Sequence, residues 1–172
     1  MSVPSSPVPR TWIALATVGL AILIGCSSPT EAQNDNPPPM ESGITTLLDD
    51  WTASWASMNG AGYASHYSVD ADFVNPLGHV LPNRAAIAET HNFLFGGPFA
   101  GSVQRWQLRR LVPLSDDLAL VDLNLELEGF QGTPPGLLVS PDGIVRTRAR
   151  MTIGWNGSQW EIRSQQLTAY AP

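Results

Sequence analysis

The stretch HYSVDADFVNPLGHVLPNRAAIAETHNFLF, residues 66–95, places a strand, a tight turn, a return strand and a helix in quick succession. In its first part Ala71 and Phe73 lie two positions apart, and Asp70 and Asp72 fill the alternate positions. A period of two is typical of a strand with one buried face. Because Phe73 belongs in a core, we expect the two aspartates to point outward as surface polar groups and not as catalytic acids.

The second part of this stretch predicts a turn and a helix. Pro-Leu-Gly at 76–78 is a turn sequence and leads to a short return strand at 79–81. Asn83 is a favoured helix N-cap residue, so a helix is predicted from Arg84 to about Phe95, where Gly96-Gly97-Pro98 ends it.

An amphipathic helix precedes the stretch. Its apolar positions recur with helical spacing at Ile44, Leu47, Leu48, Trp51, Trp55 and Met58. Asn59-Gly60 is predicted to end this helix, and a short second helix then holds Tyr63 and Tyr67 one turn apart.

After Ser102 the chain is predicted to form strands arranged as two hairpins. Around the first turn, pairing Pro113 with Leu118 places Arg109 opposite Asp122. The same register pairs Arg105 with Glu126, Trp106 with Leu125, Gln107 with Asn124, Leu108 with Leu123 and Val112 with Ala119.

The second hairpin is predicted to turn at Asn156-Gly157. Its expected pairs are Ile153 with Trp160, Met151 with Ile162, Ala149 with Ser164, and Thr147 with Gln166. The inner face then becomes small and polar away from the turn, which predicts a core that opens into a cavity. The intervening residues 132–143 are a surface loop or a flap over the cavity mouth.

The N-terminal part of the chain has the pattern of an export signal. Residues 12–24 are uncharged and, apart from Thr17, apolar; the segment is too short for a membrane span of about 20 residues but suited to a signal peptide. Leu23-Ile24-Gly25-Cys26 resembles the bacterial lipobox, in which the cysteine is lipidated. The prediction is a signal peptide over 1–25, a lipidated Cys26 with a disordered tether over 26–40, and one domain over 41–172.

Two alternatives remain for the same segment: an ordinary secretory signal that contains a cysteine, or an uncleaved anchor. The lipobox interpretation predicts a bacterial cell-envelope protein outside the cytoplasm, held at the membrane only by its lipid. Cys26 is the only cysteine, so the domain has no internal disulfide.

The net charge of the chain limits the classes of partner that are expected. The chain carries a net charge of −6, and its nine basic residues are all arginine. Nucleic-acid binding requires a basic surface, and so does electrostatic attraction to anionic lipid, so neither is expected. The remaining expectation is a small, neutral, largely apolar molecule, or no partner.

The order of elements resembles that of the nuclear transport factor 2-like superfamily, and most closely its SnoaL-like and SgcJ/EcaC-like group. The resemblance is carried by residues 66–102, by DDLALVD and by GSQWEIRSQQLT. It implies an α+β cone, with a strongly bent antiparallel sheet packed on three N-terminal helices around a pocket. It also implies a possible homodimer through the sheet face.

Within this resemblance, residues 70–78 are similar to the ketosteroid isomerase segment that carries the general base. That position is Asn75 here, and an amide cannot accept and return a proton near neutral pH. The isomerase's oxyanion tyrosine would fall on the first helix, where this chain has Trp51 and Trp55. The isomerase chemistry is therefore not transferable.

The candidate site combines aromatic walls with a few polar groups. The predicted pocket residues are Trp51, Trp55, Tyr63, Tyr67, Phe73, Asn75, His91, Trp106, Ser164 and Gln166. His91 shares a helix face with Ile87, so its ring is expected to point inward, as a general base or as a hydrogen-bonded core histidine. The histidines lack metal-ligand spacing, and no glycine-rich phosphate loop is present, so no metal or cofactor is expected.

Three functions are compatible with these observations. The first is an exported, lipid-anchored domain that binds a small molecule in a hydrophobic pocket. The second is a cofactor-independent cyclase or isomerase-like enzyme with His91 as base and Asn75 and Gln166 as polarising donors. The third is a protein-interaction scaffold whose cavity is filled by its own side chains.

Overall fold

The computed structural model describes residues 37–132 and 136–170. Its helices are α1 (Met40–Trp55), α2 (Gly60–Ala64) and α3 (Arg84–Phe95). Its strands are β1 (Tyr67–Val74), β2 (Val80–Leu81), β3 (Val103–Ser115), β4 (Leu118–Glu128), β5 (Val145–Trp155) and β6 (Trp160–Ala169). The predicted signal peptide, Cys26 and most of the tether lie outside the described residues.

The six strands form one sheet in the order β2-β1-β6-β5-β4-β3. Helix α1 packs against β3 and β6, and α3 packs against α2 and β1. The predicted α+β class, with three helices before the long strands, is confirmed. The expected antiparallel pairing holds for four of the five neighbouring strand pairs; β1 runs parallel to β6, so the sheet is mixed.

Helix α1 follows the predicted apolar stripe but is shorter than expected. Ile44, Leu48 and Trp51 are buried along it, and the helix ends at Trp55. Asn59 does not terminate α1. Instead its side chain caps α2 by accepting hydrogen bonds from the backbone N–H groups of Ala61 and Gly62.

Helices α2 and α3 approach closely at a glycine. The N–H of Gly60 donates to the Asn92 side-chain oxygen over 2.7 Å. A Cβ at Gly60 would overlap the carbonyl oxygen of Ala88. This contact fixes α2 against α3. The predicted Asn83 cap is also confirmed, since its side chain accepts from the N–H of Ala86.

Strand β1 has the predicted orientation. Ala71 and Phe73 are buried, whereas Asp70 and Asp72 are exposed. The conspicuous aspartates therefore face away from the core.

The predicted register of the β3–β4 hairpin is confirmed only for the half that lies farther from the turn. Arg105 pairs with Glu126, and the predicted pairing continues to Leu108 with Leu123. A bulge between Leu108 and Arg110 then shifts the register, so Arg110, and not Arg109, lies opposite Asp122. The shift also overturns the predicted pairs of Pro113 with Leu118 and Val112 with Ala119.

The predicted register of the β5–β6 hairpin is wrong. Residues 156–159 form a four-residue turn in which the Asn156 side chain accepts from the N–H groups of Ser158 and Gln159. Trp155 consequently pairs with Trp160. A second irregularity follows: Ile153 pairs with Ile162, but Thr152 pairs with Ser164. The extra residue changes which side chains of β6 face inward.

Across residues 37–132 and 136–170, no helix is both long and apolar enough to cross a membrane.

Candidate functional site

A cavity of about 140 Å³ lies between α3 and the inner face of the sheet. Most of its lining is apolar. The apolar side chains are Trp55, Phe73, Pro76, Leu77, Leu81, Leu94, Phe99, Leu125, Leu127, Leu137, Val145 and Leu167. An apolar cavity of roughly 150 Å³ is large enough to bind benzene, so this one has room for a single ring.

Five of the predicted pocket residues border this cavity, namely Trp55, Tyr63, Phe73, Asn75 and His91. They come from α1, α2, α3, and from β1 and the turn that follows it. The helices and the first strand therefore contribute the aromatic wall that the sequence predicted.

Three other predicted aromatic residues do not line the cavity. Trp51 and Tyr67 are completely buried in the core, behind the cavity wall. Trp106 packs against the core from β3 and is only partly buried. For these three, the interpretation as core residues is the correct one.

The register predicted from the sequence also places Ser164 and Gln166 wrongly, since neither residue borders the cavity. Gln166 is exposed, and it borders a groove on the outer face together with Arg148 and Arg150. The bulge in β6 places Gln165 inside instead, where it is 1% exposed and lines the cavity. The predicted polar group is therefore present, but one residue earlier in the chain.

His91 is held as a neutral ring of defined tautomer. Its Nδ1 lies 2.8 Å from the carbonyl oxygen of Ile87. A carbonyl only accepts, so Nδ1 carries the proton and Nε2 presents a lone pair. The ring stacks on Tyr63 with 4.2 Å between centroids. Burial lowers the pKa of His91 to about 4, so the ring is uncharged at neutral pH.

A chain of buried hydroxyls ends at the cavity wall. Tyr67 donates its hydroxyl to Oε1 of Gln165 over 2.7 Å, and the Tyr63 hydroxyl lies 3.3 Å from that of Tyr67. Burial raises the pKa of both phenols above the usual value, so both stay protonated. The contact with Tyr67 leaves Nε2 of Gln165 without a hydrogen-bond partner.

Gln104 of β3 is a second buried amide beside the cavity, and sequence reasoning missed it. It is 9% exposed, and its Nε2 also lacks a partner. Its position two residues before Trp106, on the same strand face, was the signal that could have identified it. Thr147 of β5 is also buried and adds a hydroxyl to the lining.

Asn75 has a structural role at the cavity edge. Its Oδ1 accepts from the N–H groups of Leu77 and His79, each over 2.9 Å. The side chain therefore organises the turn between β1 and β2. The oxygen at the position of the isomerase's base is fully occupied by backbone donors.

Among the described residues that line the cavity there is no arginine, and the histidine, His91, is neutral. Its one acidic member, Glu126, accepts a hydrogen bond from Arg146 over 2.9 Å. In the part of the chain that is described, no group of three or more His, Cys, Asp or Glu side chains comes together that could hold a metal ion. The site can therefore bury an apolar body and form hydrogen bonds, but it offers no cation to an anionic ligand.

Comparison with known proteins identifies the fold. No protein-family model matches the chain, and no curated protein matches it. A protein with a cystatin-like fold from Nostoc punctiforme superposes with a TM-score of 0.64 at 20% identity, covering 77% of this chain and 78% of that one.

Two further solved structures are similar. A ketosteroid isomerase-like protein from Erwinia carotovora atroseptica gives a TM-score of 0.60 at 12% identity, covering 76% of this chain and 96% of its own. The hexachlorocyclohexane dehydrochlorinase LinA, type 2, gives 0.62 at 12% identity, covering 77% and 86%. At these identities the likeness concerns architecture alone, so the chain has the cystatin-like, or nuclear transport factor 2-like, cone fold.

Proposed function

We propose that this domain binds a small, largely apolar molecule in the cavity between α3 and the sheet, a function in keeping with its resemblance to the SnoaL-like group. The observation that carries the proposal is the cavity itself: about 140 Å³, walled by aromatic and aliphatic side chains. Removing a ring-sized apolar molecule from water into such a site is favourable. The scaffold hypothesis requires a filled core, so the presence of this cavity weakens it.

Direct titration of the purified chain with toluene tests this proposal. Toluene fits the expected size, and we expect a dissociation constant of about 0.1–1 mM, equivalent to ~4–5.5 kcal/mol. Leu125→Trp should abolish binding, since Leu125 is buried on the cavity wall. Leu114→Trp is the matched control, because Leu114 is 56% exposed and does not border the cavity.

Two results would contradict the proposal. One is the absence of toluene binding to the unmodified chain under conditions in which it is folded. The other is equal binding by both tryptophan variants, which would place the bound molecule elsewhere. Native mass spectrometry of the purified chain adds a complementary readout, because a retained molecule would reveal the chemical class of the ligand.

Catalysis by His91 is the second candidate function. The observation that favours it is the free lone pair at Nε2, fixed by the hydrogen bond of Nδ1 to Ile87. The depressed pKa, about 4, makes this nitrogen a weak base at neutral pH. If a substrate is found, His91→Gln should lower kcat at least 100-fold, while unchanged turnover would eliminate the histidine as base.

We also propose that the chain is exported and anchored by a lipid on Cys26 in the bacterial cell envelope. Support comes from the apolar residues 12–24 and the Leu-Ile-Gly-Cys sequence that follows them. Labelling with a palmitate analogue in a bacterial host should mark the chain and fail for Cys26→Ser. Equal labelling of both would contradict lipidation at this residue.

Pairing of two copies through the outer sheet face is a further proposal, supported by the family resemblance. Light scattering on the purified chain would measure its mass in solution. A monomer at high micromolar concentration would refute it.

A further inference from the structure

Two polar atoms on residues that border the cavity have no hydrogen-bond partner among the described residues, and a third presents a lone pair. Nε2 of Gln165 and Nε2 of Gln104 are buried amide nitrogens, and Nε2 of His91 is the ring nitrogen left over when Nδ1 contacts Ile87. All three side chains are at least nine-tenths buried. A buried amide nitrogen without a partner is destabilising, so the two glutamines, together with the lone pair of His91, indicate what the cavity is built to receive.

The atoms fall into two kinds: the amide nitrogens of Gln165 and Gln104 are donors, and Nε2 of His91 is an acceptor. Nε2 of His91 is an acceptor, because the proton sits on Nδ1 and is donated to Ile87. Nε2 of Gln165 is a donor, because Oε1 of the same amide accepts from Tyr67. A ligand that satisfies both must donate one hydrogen bond and accept another. A hydroxyl group does both, whereas a hydrocarbon does neither and a ketone or ether only accepts.

The charges of the cavity lining disfavour a ligand with a carboxylate, the other common oxygen-bearing group. The described residues of the lining include Glu126 but no arginine, and the histidine is neutral at pH 7. Burying a carboxylate without a cation is far more costly than burying a neutral hydroxyl. The aromatic and leucine walls meanwhile favour a ring as the body of the ligand.

We propose that the cavity selects a neutral hydroxylated ring compound, a phenol or a cyclic alcohol. Its hydroxyl donates to Nε2 of His91, and a ligand oxygen accepts from the amide of Gln165. This inference rests on the proposed function, since it assigns the ligand class of the same cavity. His91 and Gln165 are then the specificity-determining residues.

Matched probes test the selection on the purified chain at pH 7. Phenol and toluene have nearly the same size and differ in the hydroxyl, anisole accepts without donating, and benzoate carries a charge. We expect phenol to bind about tenfold more tightly than toluene, which corresponds to ~1.4 kcal/mol for one net hydrogen bond. Anisole should fall between them, and benzoate should not bind.

Two variants test whether the preference for phenol over toluene depends on His91 and Gln165. His91→Phe and Gln165→Met should each lower the phenol-to-toluene ratio several-fold, with toluene binding as the internal reference. Gln166→Met, at an exposed position on the outer face, should leave the ratio unchanged. A second measurement needs no variant: phenol, but not toluene, should shift the Nε2 resonance of His91 in a ¹H–¹⁵N correlation spectrum.

The outcomes separate the two proposals. If none of the neutral probes binds, the cavity is not a binding site and both proposals fail. If toluene binds as tightly as phenol, the proposed function stands and the selection of a hydroxyl is refuted. A third outcome is that phenol is preferred while both variants keep the same phenol-to-toluene ratio and the His91 resonance does not shift. That result would overturn the assignment to His91 and Gln165.

Discussion

The protonation of His91 should make the stability of the protein depend on pH. Burial holds its pKa at about 4 in the folded protein, against 6.5 for an exposed histidine. As the pH falls, the unfolded chain therefore binds the proton first. The contribution of neutral His91 to folding is complete above about pH 7 and is lost progressively between pH 6.5 and 4. Between pH 7 and pH 5 the loss amounts to about 2 kcal/mol.

The surroundings of His91 support this assignment. The rings packed against it belong to Trp55, Tyr63, Phe73 and Phe95. None of them carries a charge near neutral pH, so nothing in this cluster offsets the cost of an imidazolium.

Urea unfolding of the unmodified chain and of His91→Phe, at pH 7, 6 and 5, measures the effect. Phenylalanine keeps the ring but cannot titrate, so the variant should lose about 2 kcal/mol less than the unmodified chain over this range. His66→Gln is the control. Burial also lowers the pKa of His66, but this residue is only partly buried and lies outside the cavity, so the variant tests whether the effect is specific to His91. Parallel stability–pH curves for the unmodified chain and His91→Phe would refute the reasoning.

Two further predictions concern the packing that supports the cavity. Gly60→Ala should destabilise the fold by about 1–3 kcal/mol, because its Cβ would overlap the carbonyl of Ala88; Gly62→Ala, whose Cβ would have no neighbour closer than 3.8 Å, is the control and should cost nothing. Tyr67→Phe should lower the free energy of unfolding by about 1–3 kcal/mol, because Oε1 of Gln165 loses its partner. Chemical denaturation measures both, and an unchanged midpoint in either variant would contradict the assigned contact.

Local patterns determined much of the fold. Helix α3 begins after the cap at Asn83 and ends at Phe95, as its sequence predicts. The alternation in β1 correctly orients Phe73 inward and Asp72 outward. These features depend on neighbouring residues, through capping hydrogen bonds and the periodicity of apolar side chains, so the sequence alone contains them.

The inward position of His91 was predictable for the same reason, since it depends on the periodicity of one helix. Its tautomer and its depressed pKa were not predictable, because they arise from a carbonyl one turn away and from rings on other elements. Likewise, the role of Asn75 in its turn follows from two backbone contacts that composition does not specify.

Only the tertiary structure decided the polar wall of the cavity. The parallel pairing of β1 with β6 and the bulges in β3 and β6 depend on contacts between residues distant in sequence. Side chains on a strand alternate with a period of two, so one extra residue exchanges the two faces from that point onward. The bulge in β6 thus places Gln165 in the cavity wall and leaves Gln166 on the outer face.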